Sequence, residues 1–130
     1  YTGRADYFQV ASEAVAFMAQ RKCDVRGGKM YAGCIVRHLV LPLCANDSIE
    51  LVKWFLSLGS GAYFSLMGQY TPCGNIDRFP ELQRRITPRE YKKVEDFLLA
   101  SGCENIFLQA LGAADEAFIP DFSDKTDALF

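Results

Sequence analysis

The run 34–41, CIVRHLVL, constrains the fold more than any other segment of the chain. It is almost continuously apolar and rich in β-branched residues, and such a run suits a strand covered on both faces, as in a parallel sheet. Pro42 ends it. Asp47-Ser48-Ile49-Glu50 has capping-box spacing, so a helix is expected from there to about Leu58, stopped by Gly59 and Gly61. The run 62–69, AYFSLMGQ, reads as the next strand. Strand, helix and strand together have the length of a βαβ crossover, which makes the two strands parallel and their connection right-handed.

The flanking segments extend this alternation. Asp6 can cap a first helix running to about Arg21, with Tyr7, Val10, Ala11, Ala14 and Met18 at helical spacing. Residues 22–33 carry three glycines and mixed charge and read as a loop. Within them Arg26-Gly27-Gly28 is a turn; a phosphate cradle would need a Gly-rich motif that does not surround it. After a long loop, 70–86, Thr87-Pro88-Arg89-Glu90 combines a threonine N-cap, proline at the first helical position and glutamate at the third. The helix that follows carries Tyr91, Val94, Phe97 and Leu98 on one face and ends at Gly102. Residues 104–109, ENIFLQ, form a third strand. The expected class is therefore α/β, with parallel strands and flanking helices. Three strands are too few for a closed barrel, so they form either a small open sheet or an arc of a larger one.

Composition narrows the function classes. Half of the 130 residues are hydrophobic and 23% are charged, the balance of a globular chain. A net charge of −2 offers no footprint for nucleic acid, and no apolar run reaches the length of a membrane span. A reducing, cytoplasmic setting is expected, because the five cysteines at 23, 34, 44, 73 and 103 are odd in number and widely spaced. No pair has CxxC spacing, which argues against a closed zinc site, and no metal-binding residue is assigned. The chain starts at Tyr1 and not at methionine, so a processed chain or a piece of a longer protein is expected.

In parallel α/β folds ligands sit at the C-terminal ends of the strands. Arg37, a charge within an apolar strand, must meet a carboxylate, a set of carbonyls or a charged ligand. His38, the only histidine, points to the opposite face, as a packed core residue or a catalytic one. Gln69 can donate and accept at once, suiting a ribose or an adenine edge, or it can tie down the following loop. Gly68 would let a ligand or backbone approach. Arg84 and Arg85 could grip an anionic substrate or peptide, or pair with Glu81 and Glu90. Asp115 and Glu116, without a histidine partner, do not read as a metal site.

Five segments in order, YTGRADYF (1–8), VRHLVLP (36–42), SLMGQYTP (65–72), FPELQRRITPREYKKV (79–94) and FIPDF (118–122), resemble radical S-adenosylmethionine (SAM) proteins related to the activating enzyme of pyruvate formate-lyase. The resemblance implies a partial (β/α)6 TIM-like barrel, of which residues 1–122 would be the C-terminal portion and 123–130 a flexible tail. It implies a [4Fe–4S] cluster and SAM, cleaved reductively to a 5′-deoxyadenosyl radical, in the full-length protein. It further implies a glycyl radical enzyme as protein substrate and a flavodoxin- or ferredoxin-type electron donor. Arg37, Leu39, Gln69 and Tyr70 fall at SAM-facing positions, with Gln69 where the activating enzymes usually have histidine; Gln109, Arg84 and Arg85 are candidates for substrate. The CX3CX2C cluster motif is absent, as is the early Gly-rich segment that receives the SAM amino group. This chain alone is therefore expected to be inactive, with no cofactor bound, and either to self-associate through an exposed strand edge or to shield that edge with its own first helix or tail. The alternative is a stand-alone, non-catalytic binding module derived from the same barrel.

Overall fold

The structure, a computed structural model, describes residues 3–109 and 111. Helix α1 (Tyr7–Met18) leads into an antiparallel hairpin, β1 (Asp24–Arg26) and β2 (Lys29–Ala32). Strand β3 (Ile35–Leu39), helix α2 (Ala45–Ser57) and strand β4 (Tyr63–Met67) follow. A 3-10 turn at Pro80–Gln83 precedes α3 (Pro88–Ala100) and β5 (Ile106–Leu108).

Strands β3, β4 and β5 form one parallel sheet in chain order, with Ile35 opposite Tyr63 and Ser65 opposite Phe107. Parallel neighbours need a crossover, and α2 and α3 supply the two. Val52 and Phe55 of α2 join Tyr91, Val94 and Leu98 of α3 in one core with Val40, Phe64 and Leu66. Both helices therefore cover the same face. Phe64 stacks obliquely on Phe55 at 4.9 Å, and Phe64 and Leu66 are fully buried.

Side chains alternate along a strand, so Ile35, Arg37, Tyr63, Ser65 and Phe107 face the other way. Ile35 is 41% and Phe107 46% exposed. Strand β3, expected to be covered on both faces, is covered on one among the described residues. Its outer edge pairs with no described strand either.

Three local expectations need correction. Residues 22–33 are a hairpin and not a loop: Gly27 (φ +55°) and Gly28 (φ +75°) make the two-residue turn with both φ positive that the twist of a hairpin favours. The Asp47–Glu50 box does not start α2; the helix begins at Ala45 behind Cys44, because Ala45 and Ser48 are themselves buried against the sheet. Helix α1 stops at Met18, short of Arg21, and Asp6 makes no capping hydrogen bond because its carboxylate accepts from Arg4; Tyr7, Val10 and Met18 are at least half exposed and none of its residues is buried. Its smaller residues Ala11, Ser12, Val15 and Ala16 are the half-buried ones, and Phe8 makes an edge contact with Trp54 at 5.7 Å. By contrast α3 is capped as read, with Thr87 Oγ1 accepting from the Glu90 N–H and the Glu90 carboxylate accepting from the Thr87 N–H.

The result is a mixed α/β unit with a three-stranded parallel sheet and three helices. No helix among the described residues is long and apolar enough to cross a membrane. The tail 123–130 and the FIPDF segment lie outside the described residues.

The two faces should respond differently to substitution. Leu66→Ala is expected to lower the unfolding free energy by about 2–5 kcal/mol, as for a closed core site. Ile35→Ser should cost under about 1 kcal/mol, since its side chain already meets water. Urea denaturation of both variants checks this, and equal losses would mean that the uncovered face is misassigned.

Candidate functional site at the C-terminal ends of the strands

The uncovered face is built in rows by the register of the sheet. Ile35 and Tyr63 form one row, Arg37, Ser65 and Phe107 the next, and Leu39 and Met67 the row nearest the strand ends. The lower part is aromatic: Tyr63 stacks on Phe107 with ring centroids 5.3 Å apart. Arg37 is exposed and its Nη2 lies 3.1 Å from Met67 Sδ. No carboxylate among the described residues forms an ion pair with it. On this face water reaches the guanidinium, so its charge does not require a carboxylate of the sheet as partner.

His38 faces the helices, as strand alternation requires. Ser48 Oγ donates to the Cys44 carbonyl at 3.0 Å and, with that proton committed, accepts from His38 Nε2 at 2.9 Å. The ring packs against Phe64, and burial lowers its pKa, which favours the neutral imidazole. His38 is thus tied into the core. A cavity of about 400 Å³ lies beside it at the end of β3, lined by Phe8, His38, Leu39, Leu41, Ser48 and Leu51 among others. Leu39 therefore borders this space, while Arg37 is not among the residues that line it.

The other candidates sit at the strand ends but do not converge on one point. Gln69 is half-buried just beyond β4. Tyr70 donates its hydroxyl to the Leu82 carbonyl at 2.8 Å, which ties down the long loop, and burial raises its pKa. Gln109 is half-buried after β5, its N–H donating to Leu66 O at 3.2 Å. Gly68 is needed for close packing within the protein: a Cβ there would stand 2.5 Å from Leu111 Cδ2 and 2.7 Å from Tyr91 Cδ2. The Tyr91 hydroxyl is buried toward the Gln109 backbone and makes no hydrogen bond among the described residues.

The strongest polar junction at this end of the sheet is Glu90. Arg84 grips its carboxylate with two nitrogens, at 2.9 and 2.8 Å. The Thr87 N–H at 2.7 Å, Thr87 Oγ1 at 2.9 Å and the Leu43 N–H at 2.8 Å complete five donors. Leu43 has φ +61°, a backbone region that non-glycine residues seldom enter, and the Glu90 contact holds it there. One carboxylate thus ties the loop after β3 and the loop after β4 to the start of α3. Arg84, a candidate for anionic substrate, is committed to this junction, while Arg85 is exposed beside it. The sequence signals Glu90 as a helix cap; its partners six and 47 positions away have no local signature.

No family model, curated protein or solved structure matches the chain. Among the described residues no group of three histidine, cysteine, aspartate or glutamate side chains stands ready to hold a metal ion, and Cys23, Cys34, Cys44, Cys73 and Cys103 are free thiols.

Arg84, followed by the Thr87 donors, holds the Glu90 pKa well below the usual carboxylate range. A depressed folded-state pKa contributes stability that is complete above the unfolded value and is lost as pH falls. Glu90→Gln is expected to cost about 2–3 kcal/mol at pH 7. That difference should shrink progressively below about pH 4.5, as the carboxylate of the unfolded chain protonates. Urea melts of both proteins across pH 3–7 measure it; a pH-independent difference would show that the charge of Glu90 is not what matters.

Proposed function

We propose that this chain is the C-terminal part of the partial (β/α)6 barrel of a radical SAM protein related to the activating enzyme of pyruvate formate-lyase. One observation carries the reading: three parallel strands stand in chain order, both crossover helices lie on one face, and the opposite face is uncovered among the described residues. A doubly wound sheet would place helices on both faces, whereas a barrel wall keeps its helices outside and turns its other face to the interior. The exposed apolar residues of α1 and the free edge of β3 suit neighbours supplied by further barrel strands.

On this reading Arg37 and Ser65 project from the inner face and supply a cation and a hydroxyl to an anionic group. Gln69 and Gln109 stand at the rim, where their amides can meet a ribose or base edge. Leu39 and Met67 give an apolar floor to that rim. SAM would be cleaved reductively in the full-length protein, with a glycyl radical enzyme as substrate and a flavodoxin- or ferredoxin-type donor of electrons. The described residues do not fit a [4Fe–4S] cluster, because no three thiolates converge, and no step through the cluster is derived from them. The cluster motif would belong to another part of the longer protein. The same lack of ligands favours a second reading, a non-catalytic binding module with the same sheet.

The reading frame upstream of the Tyr1 codon discriminates between the two. An in-frame CX3CX2C motif is expected; a start codon close to Tyr1 with no such motif would overturn the enzyme reading in favour of the module. For this chain alone, anaerobic reconstitution with iron and sulfide should leave no [4Fe–4S] spectrum. Calorimetric titration with SAM should give a Kd no tighter than about 1 mM, worth roughly 4 kcal/mol, because only part of the site is present. A stable cluster on this chain would mean that its cysteines have been misread.

A further inference from the structure

The hairpin that replaces the expected loop has a chemical consequence for two cysteines. Cys23 immediately precedes β1 and Cys34 follows β2 by two residues, so ten residues separate them in the chain while the β1–β2 pairing folds them back together. The last pair of the ladder, Asp24 opposite Ala32, puts Cys23 across from Gly33. Gly33 has φ +130°, and a Cβ on it would stand 2.5 Å from Cys23 Sγ and 3.0 Å from Cys23 Cα. Only glycine allows the thiol this position, directly over the residue adjoining Cys34. The Cys23 sulfur is near enough to act on its partner: burial, and after it the charge of Cys23, raises the Cys34 pKa.

The two thiols differ in access. Cys34 is 9% exposed and lies at the start of the sheet, its carbonyl accepting the Tyr63 N–H at 2.9 Å. Cys23 is half-exposed and opens into a cleft of about 590 Å³ whose lining includes Arg21, Lys22, Leu58 and Ser60. This cleft lies at the opposite end of the strands from Arg37 and Gln69, and is independent of the function proposed above.

We propose that Cys23 and Cys34 are a redox modification site, at which a small peroxide converts the dithiol to an intramolecular disulfide that closes the β1–β2 hairpin at its open end. The Cys23 thiolate attacks the peroxide O–O bond, giving a sulfenic acid and hydroxide. The Cys34 sulfur then attacks the Cys23 sulfur; the S–S bond forms, the S–O bond breaks, and the departing hydroxide leaves as water with the thiol proton. For hydrogen peroxide, two thiols lose two electrons and one peroxide becomes two waters. The product fastens a short, exposed hairpin to the first strand of the sheet.

The test uses the full chain, reduced and then treated with an equimolar amount of hydrogen peroxide. Intact mass should fall by about 2 Da, and peptide mapping should recover Cys23 joined to Cys34, with Cys44, Cys73 and Cys103 still open to alkylation. Amide exchange at Val25 and Met30 should slow about tenfold or more on oxidation, and recover with reductant. Cys23→Ser should abolish the mass loss while keeping Cys34 a thiol. As Cys34 is buried, the Cys23→Ser variant keeps the test valid if Cys34→Ser fails to fold. A gain of oxygen on Cys23 with Cys34 still alkylatable, a link to any other cysteine, or a link between two chains would each overturn the proposal.

Discussion

Parallel strands cannot be joined by tight turns, and this geometric constraint organises the molecule. Each connection must cross the sheet, and here both crossovers, α2 and α3, run over the same face. Phe64 and Leu66 are sealed there at 0% exposure, while Ile35 and Phe107 on the reverse remain open to solvent. All-parallel sheets are ordinarily covered on both faces, so one bare face is the physical basis for reading the sheet as a section of a larger wall. The same one-sidedness explains Arg37, whose charge would be prohibitive in a strand buried on both sides and is tolerable where water reaches it.

The C-terminal ends of the strands are fixed by a different kind of force. Glu90 gathers a guanidinium, a hydroxyl and two backbone N–H groups from the loops after β3 and β4, and it holds Leu43 in a left-handed conformation. Loops at this end of an α/β sheet carry the ligand-binding residues, so a carboxylate that sets their backbone also sets where Gln69 and its neighbours can reach. Glu90 acts through that scaffold and is a positioning residue.

What was legible in the sequence were the features written in adjacent residues. The Thr87-Pro88-Arg89-Glu90 cap gave α3 its start, because every partner of that motif lies within four positions. The runs 34–41 and 62–69 gave β3 and β4, since β-branched and aromatic residues fit a pleated surface. The same signals misplaced features decided by tertiary contact. Helix α2 begins two residues before Asp47, drawn forward by the burial of Ala45 and Ser48. The β1–β2 hairpin was hidden by short strands of mixed polarity, although Gly27-Gly28 is the turn that such hairpins use. Of the site, alternation put His38 and Arg37 on opposite faces, but which of the two faces the helices cover was not written in the strand itself. The commitment of Arg84 to Glu90 was readable only as one of two alternatives, and the approach of Cys23 to Gly33 has no sequence signal, because it depends on the hairpin register.

On the proposed reading, the outer edge of β3 pairs with a further strand of a larger sheet. The Val40 N–H donates to Met67 O and the Cys34 carbonyl accepts from Tyr63 N, so the alternate residues Ile35, Arg37 and Leu39 turn their N–H groups outward. Amide hydrogen exchange of this chain, compared with the same chain extended by its upstream sequence, tests the claim most directly. Exchange is expected to be fast at Ile35, Arg37 and Leu39 here, beside slow exchange at Val36 and His38, and to slow by about 100-fold or more at those three amides in the extended protein. Equal protection of all five amides in this chain alone, or no change on extension, would contradict it.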